Sequence, residues 1–384
     1  MGSLAGMHIL RGWLCLMLLL GAAGMLVSGQ YFAYAPGKCQ LTTSNVIESM
    51  FSTELRIILH TRPNLPQSKL LHYDLYTPLN PEERQFLRPG DVSMLKNSHF
   101  NPKWPVRVLI HGWAGMSTTC SNAVLKDAYL SRGNYNVIIL DWSRQAMDIN
   151  YGRVSKQLAS IAGNVAKLLR FLHDNTGIPY EQIYLVGHSA GSHISGLTGK
   201  MMKPFRLGAI FALDPAGLTQ LSLGPEDRLT NDDALYVESI HTDLTLLGNP
   251  STKLSQASFF VNWGLGQPHC PNATATEFDF VCDHYAAVFY FAESVRRPKS
   301  FAAVRCSSAQ ALRSATCSCN NGGGSQICTG DEFMGGEPAV PKRGIFYLST
   351  RQRSPYGTGD GLVYIRRPIP STIRETAKRR RRLG

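Results

Sequence analysis

Residues 183–197 read IYLVGHSAGSHISGL, and this stretch decides the fold class. The apolar run 183–186 is typical of a buried strand, and it leads directly into Gly187-His188-Ser189-Ala190-Gly191 and then into a helical pattern. A strand, a cramped turn and a helix in this order predict a nucleophile elbow, in which the flanking glycines relieve steric crowding around the serine. Such a bend lifts the Ser189 hydroxyl off the sheet edge, at a helix N-terminus whose partial positive charge favours an anionic intermediate.

The sequence on both sides of this turn alternates short apolar runs with longer helical patterns. The predicted further strands are residues 106–110, 136–140, 208–213 and 235–240, and the predicted helices are residues 154–172 and 284–295. This alternation predicts an α/β fold, a mostly parallel central sheet with helices on both faces. No internal repeat or long linker interrupts the chain, so we expect one catalytic domain over residues 30–357.

A serine hydroxyl becomes a good nucleophile only when a base removes its proton, and an acid must orient that base. On a nucleophile elbow the chain order is serine, acid, histidine. Asp214 ends the predicted strand 208–213, which would bring its carboxylate to the same sheet edge as Ser189. The alternative for Asp214 is a turn-capping side chain before Pro215.

Three histidines follow Asp214 and could act as the base: His241, His269 and His284. His284 comes two residues after Cys282, so a disulfide would anchor the loop that presents it. His241 ends a predicted strand, where the alternative is a buried, hydrogen-bonded structural histidine. Chain order admits all three histidines, and the disulfide-anchored loop favours His284 while the other two stay open.

An oxyanion hole needs two backbone N–H groups that point at the developing negative oxygen. The residue after the nucleophile, Ala190, is expected to supply one of them. The loop after an earlier strand supplies the other, and Gly112 permits a sharp turn there that points the Trp113 N–H inward.

The N-terminal segment differs from the rest of the chain. Arg11 precedes an apolar run that continues to Val27, and Val27 and Gly29 suit a signal-peptidase site. We therefore expect residues 1–29 to be a signal peptide and the mature protein to be secreted and extracellular; an uncleaved membrane anchor is the alternative. A glycosylation sequon at Asn272 fits that location.

Eight cysteines remain after the signal peptide, and an even number in an oxidising compartment favours disulfides over a metal site. Local spacing suggests three short loops, and the fourth pair would close the longest one. The expected pairs are Cys270–Cys282, Cys306–Cys317, Cys319–Cys328 and Cys39–Cys120.

The formal net charge is +12, and much of it is concentrated at the C-terminus. Residues 366–384 contain eight basic residues and one acidic residue, Glu375, so we expect residues 358–384 to form a basic tail. A sulfated polysaccharide, an anionic membrane surface or a processing protease would suit such a run, whereas a secreted protein is not expected to bind nucleic acid. A solvated, disordered tail is the alternative.

Six linked motifs resemble those of the pancreatic lipase family of secreted animal lipases. They are His111-Gly112-Trp113, Asp141-Trp142, Gly187-His188-Ser189-Ala190-Gly191, Leu213-Asp214-Pro215-Ala216-Gly217, Ile240-His241-Thr242-Asp243 and Cys282-Asp283-His284. The resemblance covers roughly residues 39–357 and implies an α/β-hydrolase fold. It also implies a triad of Ser189, Asp214 and His284, a structural His241, and oxyanion donors at Trp113 and Ala190. Because the chain stops where larger relatives begin a C-terminal β-sandwich, we expect no such domain.

Two connections are shorter than in the triacylglycerol lipases of that family. The segment that corresponds to the lid has eleven residues between Cys270 and Cys282, and the connection 243–259 is also brief. Short versions resemble the phospholipase A1 branch and insect lipases, and they imply an open cleft that admits a polar headgroup. We therefore expect cleavage of the sn-1 ester of phospholipid at a lipid interface, with neutral glycerides as the second candidate. A non-catalytic yolk-type lipid-binding relative is the third, although such proteins typically lose the nucleophile.

Residues 225–233 resemble the family's calcium-binding loop. Thr230 stands where an aspartate ligand is usual, and the loop is one residue short. Because a hard Ca²⁺ ion favours charged oxygen ligands, the sequence disfavours calcium at this loop, and we expect no cofactor.

Overall fold

The structure is a computed structural model that describes residues 71–218, 223–270, 280–319 and 326–366, all of which belong to the unit Cys39–Gly384. Several sequence predictions fall outside these residues: the signal peptide, Cys39, the Asn272 sequon, most of the lid and the basic tail beyond Arg366. They stay predictions. Within the described ranges, no helix combines the length and the apolar character that crossing a bilayer requires.

The described residues form one large sheet of eleven strands and a small sheet of two. The strands are β1 His72–Tyr76, β2 Gln85–Leu87, β3 Val106–Ile110, β4 Asn136–Asp141, β5 Ile183–His188, β6 Ala209–Leu213, β7 Tyr236–His241, β8 Ala257–Val261, β9 Ala302–Arg305, β10 Ile327–Thr329, β11 Glu332–Phe333, β12 Gly344–Leu348 and β13 Leu362–Tyr364. The order in the large sheet is β11-β9-β12-β8-β7-β6-β5-β3-β4-β1-β2. Neighbours from β12 to β4 are parallel, and the outer strands are antiparallel.

Helices cover both faces of this sheet, as predicted. The described α-helices are α1 Val92–Lys96, α2 Cys120–Leu130, α3 Ser143–Ala146, α4 Tyr151–Ser155, α5 Leu158–Thr176, α6 Ala190–Met202, α7 Phe280–Arg296 and α8 Ala309–Arg313, and short 3₁₀ helices span Tyr180–Gln182, Pro225–Asp227 and Asn262–Gly264. Along β3, Val108 joins the apolar cluster beneath α5 and α6, whereas its neighbour Leu109 joins the cluster beneath α2 and α7. Because a strand alternates its side chains between two faces, both faces of a central strand must be apolar, which explains the continuous apolar runs in the sequence.

The prediction of a single helix over residues 154–172 is wrong in one respect: the structure has two helices there. The helix α4 ends at Ser155 and α5 begins at Leu158. At the break, the Gln157 N–H donates to the Val154 carbonyl at 2.9 Å, a tighter three-residue turn than an α-helix makes. Val154 and Leu158 are both buried, so helical spacing continues across the break and periodicity does not reveal it.

Three of the four expected disulfides are confirmed: Cys270–Cys282, Cys306–Cys317 and Cys319–Cys328. The fourth involves Cys39, which lies outside the described residues. Strand β13 pairs with β10 beyond residue 357, and the Trp263 Nε1–H donates to the Arg366 carbonyl at 2.7 Å. Ordered structure therefore continues at least to Arg366.

Candidate active site

Ser189 occupies the bend between β5 and α6 with φ +57° and ψ −122°, a conformation that a residue with a side chain rarely adopts. The neighbouring glycines make the bend possible. A Cβ added at Gly187 would lie 2.3 Å from the Gly191 carbonyl oxygen, and one added at Gly191 would lie 2.1 Å from the Ile110 carbonyl oxygen. The Ser189 N–H donates to the Leu213 carbonyl at 3.0 Å, which ties the bend to the adjacent strand. The predicted elbow is thus present, and its glycines are required by close backbone approach.

Asp214 lies beside Ser189, because the residues before them, Leu213 and His188, are register partners in β6 and β5. Its carboxylate is fully buried. One oxygen, Oδ1, accepts from the N–H groups of Thr242 at 2.8 Å and Asp243 at 3.1 Å. These contacts fix the carboxylate after β6 and leave its second oxygen for one further partner.

That partner is His284 in the first turns of α7, whose Nδ1 lies 2.5 Å from Asp214 Oδ2. Burial raises the pKa of Asp214 to about 6, while the hydrogen bond from His284 acts in the opposite direction. The carboxylate is therefore predominantly ionised at neutral pH, as an orienting acid must be. With Nδ1 bound to Asp214, the Nε2 of His284 is the ring nitrogen available to a nucleophile.

Ser189 and His284 are not hydrogen-bonded to each other in the described part of the chain. The ring of His284 lies 4.6 Å, centroid to centroid, from that of His188, the residue that precedes the serine. Catalytic hydrogen bonds in ligand-free enzymes are often long and tighten only when substrate binds. The structure thus brings the serine, the acid and the histidine to one sheet edge, with the acid–base pair already joined.

The other two histidines that chain order left open have different surroundings. His241 is fully buried, its Nε2 lies 2.8 Å from Ser239 Oγ, and its ring stacks on Phe260 with centroids 4.3 Å apart. His269 Nδ1 lies 3.0 Å from the Tyr290 hydroxyl. Burial lowers the pKa of both rings to about 4, so both are neutral at pH 7.

The loop that follows β3 passes close to Ser189. A Cβ added at Gly112 would lie 2.7 Å from the Ser189 Cβ and 3.2 Å from its Oγ. The backbone N–H of Trp113 donates to none of the described residues, and Ala190 is the first residue of α6, where an N–H has no acceptor within the helix. The indole of Trp113 anchors the loop, because its Nε1–H donates to the Asp148 carbonyl at 2.8 Å.

His111 has a structural role that its sequence motif by itself does not reveal. In the structure its ring stacks on Trp142, with centroids 5.2 Å apart and planes 6° apart. The Trp142 N–H donates to His111 Nε2 at 3.2 Å, and the indole N–H of Trp142 donates to the His111 carbonyl at 2.9 Å. These two hydrogen bonds hold the start of the loop that carries Trp113. The contact could have been predicted from the sequence, because His111 and Trp142 directly follow two adjacent strands, β3 and β4.

His188 also has a structural role that the sequence does not reveal. Its Nε2 lies 3.2 Å from the His284 carbonyl oxygen, and its ring lies 4.5 Å from that of Tyr285. Burial holds the pKa of His188 well below its usual value, so the ring is neutral and donates its Nε2–H to that carbonyl. This contact joins the elbow to α7.

Among the described residues, two groups of side chains have the composition of a metal site, and a disulfide or hydrogen bonds already occupy most of their ligand atoms. In the group His269, Cys270 and Cys282 the two sulfurs form a disulfide and are not thiolates. In the group Asp214, Asp243 and His284 the ligand atoms are engaged in the hydrogen bonds described above or, for the Asp243 carboxylate, with the Thr245 and Leu247 N–H groups at 2.8 Å each.

A mostly parallel sheet with helices on both faces and a strained serine between strand and helix defines the class of this protein as an α/β hydrolase. Residues 39–356 match the family described as Lipase, and the chain belongs to that family. The sequence resemblance to lipases is thereby confirmed.

Individual relatives agree with this assignment. Lipase member H of Danio rerio is 34% identical over 284 residues, which cover 72% of this chain and 58% of that protein. Phospholipase A1 member A of Mus musculus is 31% identical over 308 residues, covering 75% and 63%, respectively. Phospholipase A1 2 of Vespa affinis is 31% identical over 272 residues, covering 68% and 77%. The chain spans about three fifths of the length of the first two.

Proposed function

We propose that this protein hydrolyses carboxylic esters of lipids through an acyl-enzyme at Ser189, and that its substrate is the sn-1 ester of phospholipid. The observation that carries the proposal is the buried Asp214–His284 pair, 2.5 Å apart, beside a serine on a strained elbow. An ionised acid that orients a histidine next to such a serine is the arrangement that nucleophilic catalysis requires.

The reaction then takes two steps. Ser189 Oγ attacks the ester carbonyl while its proton passes to His284 Nε2, and Asp214 stabilises the imidazolium that forms. The carbonyl oxygen becomes negative and accepts hydrogen bonds from the Trp113 and Ala190 N–H groups. His284 returns the proton to the departing alcohol oxygen, which leaves as a lysophospholipid. Water, deprotonated by His284, then attacks the acyl-enzyme; the bond to Ser189 Oγ breaks, His284 returns the proton to that oxygen, and the fatty acid is released.

The neighbourhood of the site supports a lipid substrate. Leu218, which follows the Asp214 turn, is 37% exposed, and Leu246 in the adjacent loop is 52% exposed. A hydrogen bond of 2.6 Å from the Gly217 N–H to the Leu247 carbonyl joins these two loops. Apolar side chains exposed beside a catalytic edge suit contact with acyl chains.

Two observations favour phospholipid over neutral glyceride. The lid segment has only eleven residues between Cys270 and Cys282, which leaves room for a polar headgroup. Relatives from mouse and wasp carry the name phospholipase A1.

The proposal extends to location. The signal peptide predicted over residues 1–29 and the three disulfides support a secreted protein that meets lipid outside the cell. The basic segment after Arg366 would add attraction to an anionic membrane surface or a sulfated polysaccharide.

The substrate proposal predicts the outcome of a headgroup panel on purified full-length protein. Vesicles of phosphatidylcholine or phosphatidylserine are expected to be hydrolysed with a kcat/KM roughly tenfold or more above that of emulsified triolein. Substrates labelled separately at the two acyl positions should release the sn-1 chain first. A preference for triolein would support the neutral lipase instead.

The oxyanion loop gives a second prediction. Gly112→Ala would force a methyl group to within 2.7 Å of the Ser189 Cβ, so the loop or the serine must move. Displacement of a catalytic group by about 1 Å lowers kcat on the order of a hundredfold. Gly224→Ala is the matched control, because Gly224 has φ −65° and no atom within 4 Å of an added Cβ. Equal activity of Gly112→Ala and Gly224→Ala would show that the loop after β3 does not contribute to catalysis.

A further inference from the structure

The loop of residues 225–233, which resembles a calcium-binding loop in sequence, is bound by a lysine side chain. Lys200 lies in the last turn of α6. Its Nζ lies 2.5 Å from Asp233 Oδ1 and 2.6 Å from Thr230 Oγ1. The Asp233 side chain is fully buried, and the Lys200 side chain is 15% exposed. The ammonium group is thus held in the loop by its charge and by two hydrogen bonds.

The other carboxylate oxygens of Asp232 and Asp233 are also engaged. The second oxygen of Asp233 accepts from the Thr230 N–H at 2.7 Å. Asp232 accepts from Thr230 Oγ1 at 2.9 Å and from the Lys203 ammonium at 2.8 Å. Ca²⁺ takes six to eight oxygen ligands, mainly carboxylates and carbonyls. Two of the three aspartates of this loop, Asp232 and Asp233, already use oxygens to bind a lysine.

The local charge opposes a divalent cation as well. A cavity of about 450 Å³ borders the loop, and four of its lining residues are basic while two are acidic. The basic residues are Lys200, Lys203, Arg228 and Lys253, and the acidic residues are Glu226 and Asp232. A divalent cation in this cavity would face an excess of like charge at short distance. The donor set and its surroundings therefore do not fit calcium.

The loop packs closely on the helix that begins after the nucleophile. A Cβ added at Gly199 would lie 2.0 Å from the Asp233 carbonyl oxygen, and one added at Gly196 would lie 2.6 Å from the Leu229 Cα. Such contact between loop and helix backbones lets a side chain of the helix reach the loop carboxylates directly.

We propose that the Lys200 ammonium is a built-in cation that takes the place of calcium, joining α6 to this loop and making the fold independent of divalent metal. The inference does not depend on the proposed reaction, because it concerns stability and is measured by melting.

The first test compares the melting temperature of the wild-type full-length protein in calcium chloride and in EGTA. We expect the two values to agree within about 1 °C, because a cation that does not bind the native state cannot stabilise it. A melting temperature several degrees higher in calcium would overturn the proposal without any variant.

The second test compares two lysine variants in EGTA, so that no metal can substitute. Lys200→Met keeps an apolar stem but leaves the buried Asp233 without its partner, and we expect the melting temperature to fall on the order of 5 °C. Lys203→Met is the matched control, because the Lys203–Asp232 pair is 47% and 59% exposed and such pairs contribute little. Equal, small losses in both variants would contradict the proposal.

Discussion

Ser189→Ala is expected to lower kcat/KM for lipid ester hydrolysis by about 10⁴-fold or more. The substitution removes the oxygen that is proposed to attack the ester, and the elbow Gly187-His188-Ser189-Ala190-Gly191 holds no other hydroxyl or thiol. Stability should change little, since Ser189 Oγ forms no hydrogen bond among the described residues and the elbow backbone already accommodates a Cβ. A melting temperature within about 2 °C of wild type would establish that the loss is chemical.

Covalent labelling is the companion measurement. A phosphonate that mimics the tetrahedral intermediate should add its mass to the peptide that contains Ser189 in the wild-type protein and not in Ser189→Ala. Labelling of another residue, or retained turnover in the variant, would contradict the assignment of the nucleophile. Folded wild-type protein that resists labelling altogether would favour the non-catalytic, yolk-type alternative.

The second prediction with a large expected effect tests which histidine, His284 or His241, is the catalytic base. His284→Gln should reduce kcat by about 10⁴-fold, because glutamine cannot accept the serine proton and return it to the leaving group. His241→Gln should retain measurable activity, since His241 contacts Ser239 and Phe260 rather than the acid. Both residues are buried, so either substitution could destabilise the fold. The folded fraction of each variant is therefore measured by thermal melting, and its rate is expressed per folded molecule.

The opposite pattern, with His241→Gln inactive and His284→Gln active, would overturn the assignment of the base. If both variants lost activity while folded, the Ser239–His241 contact would have a share in catalysis that its geometry does not suggest.

Much of the fold could be read from local sequence. The apolar runs before Ser189 and Asp214 became β5 and β6 with bounds within two residues of the prediction, because a buried strand must be apolar on both faces. The elbow was also predictable, since Gly187 and Gly191 relieve clashes with residues four positions apart or on the neighbouring strand. The three short disulfide loops could also be predicted, because the paired cysteines are only 12, 11 and 9 positions apart.

Other features depend on how distant segments pack. Asp214 and His284 are seventy positions apart, and chain order alone admitted three histidines as partners. The choice among them follows from the position of α7 against the sheet, which brings one ring to the Asp214 carboxylate and leaves the other two among aromatic neighbours. The Lys200–Asp233 ion pair is similar, because its partners are thirty-three positions apart and no local pattern joins them.

Sequence by itself therefore established the strand–turn–helix around the serine, the parallel sheet and the acid that follows it, because sterics and periodicity act between near neighbours. The sequence favoured His284 over His241 and His269, but only the tertiary structure shows its contact with Asp214 and the contact of Lys200 with the loop. Those contacts form only when the whole core has packed, and burial then removes the water that would otherwise satisfy each charge.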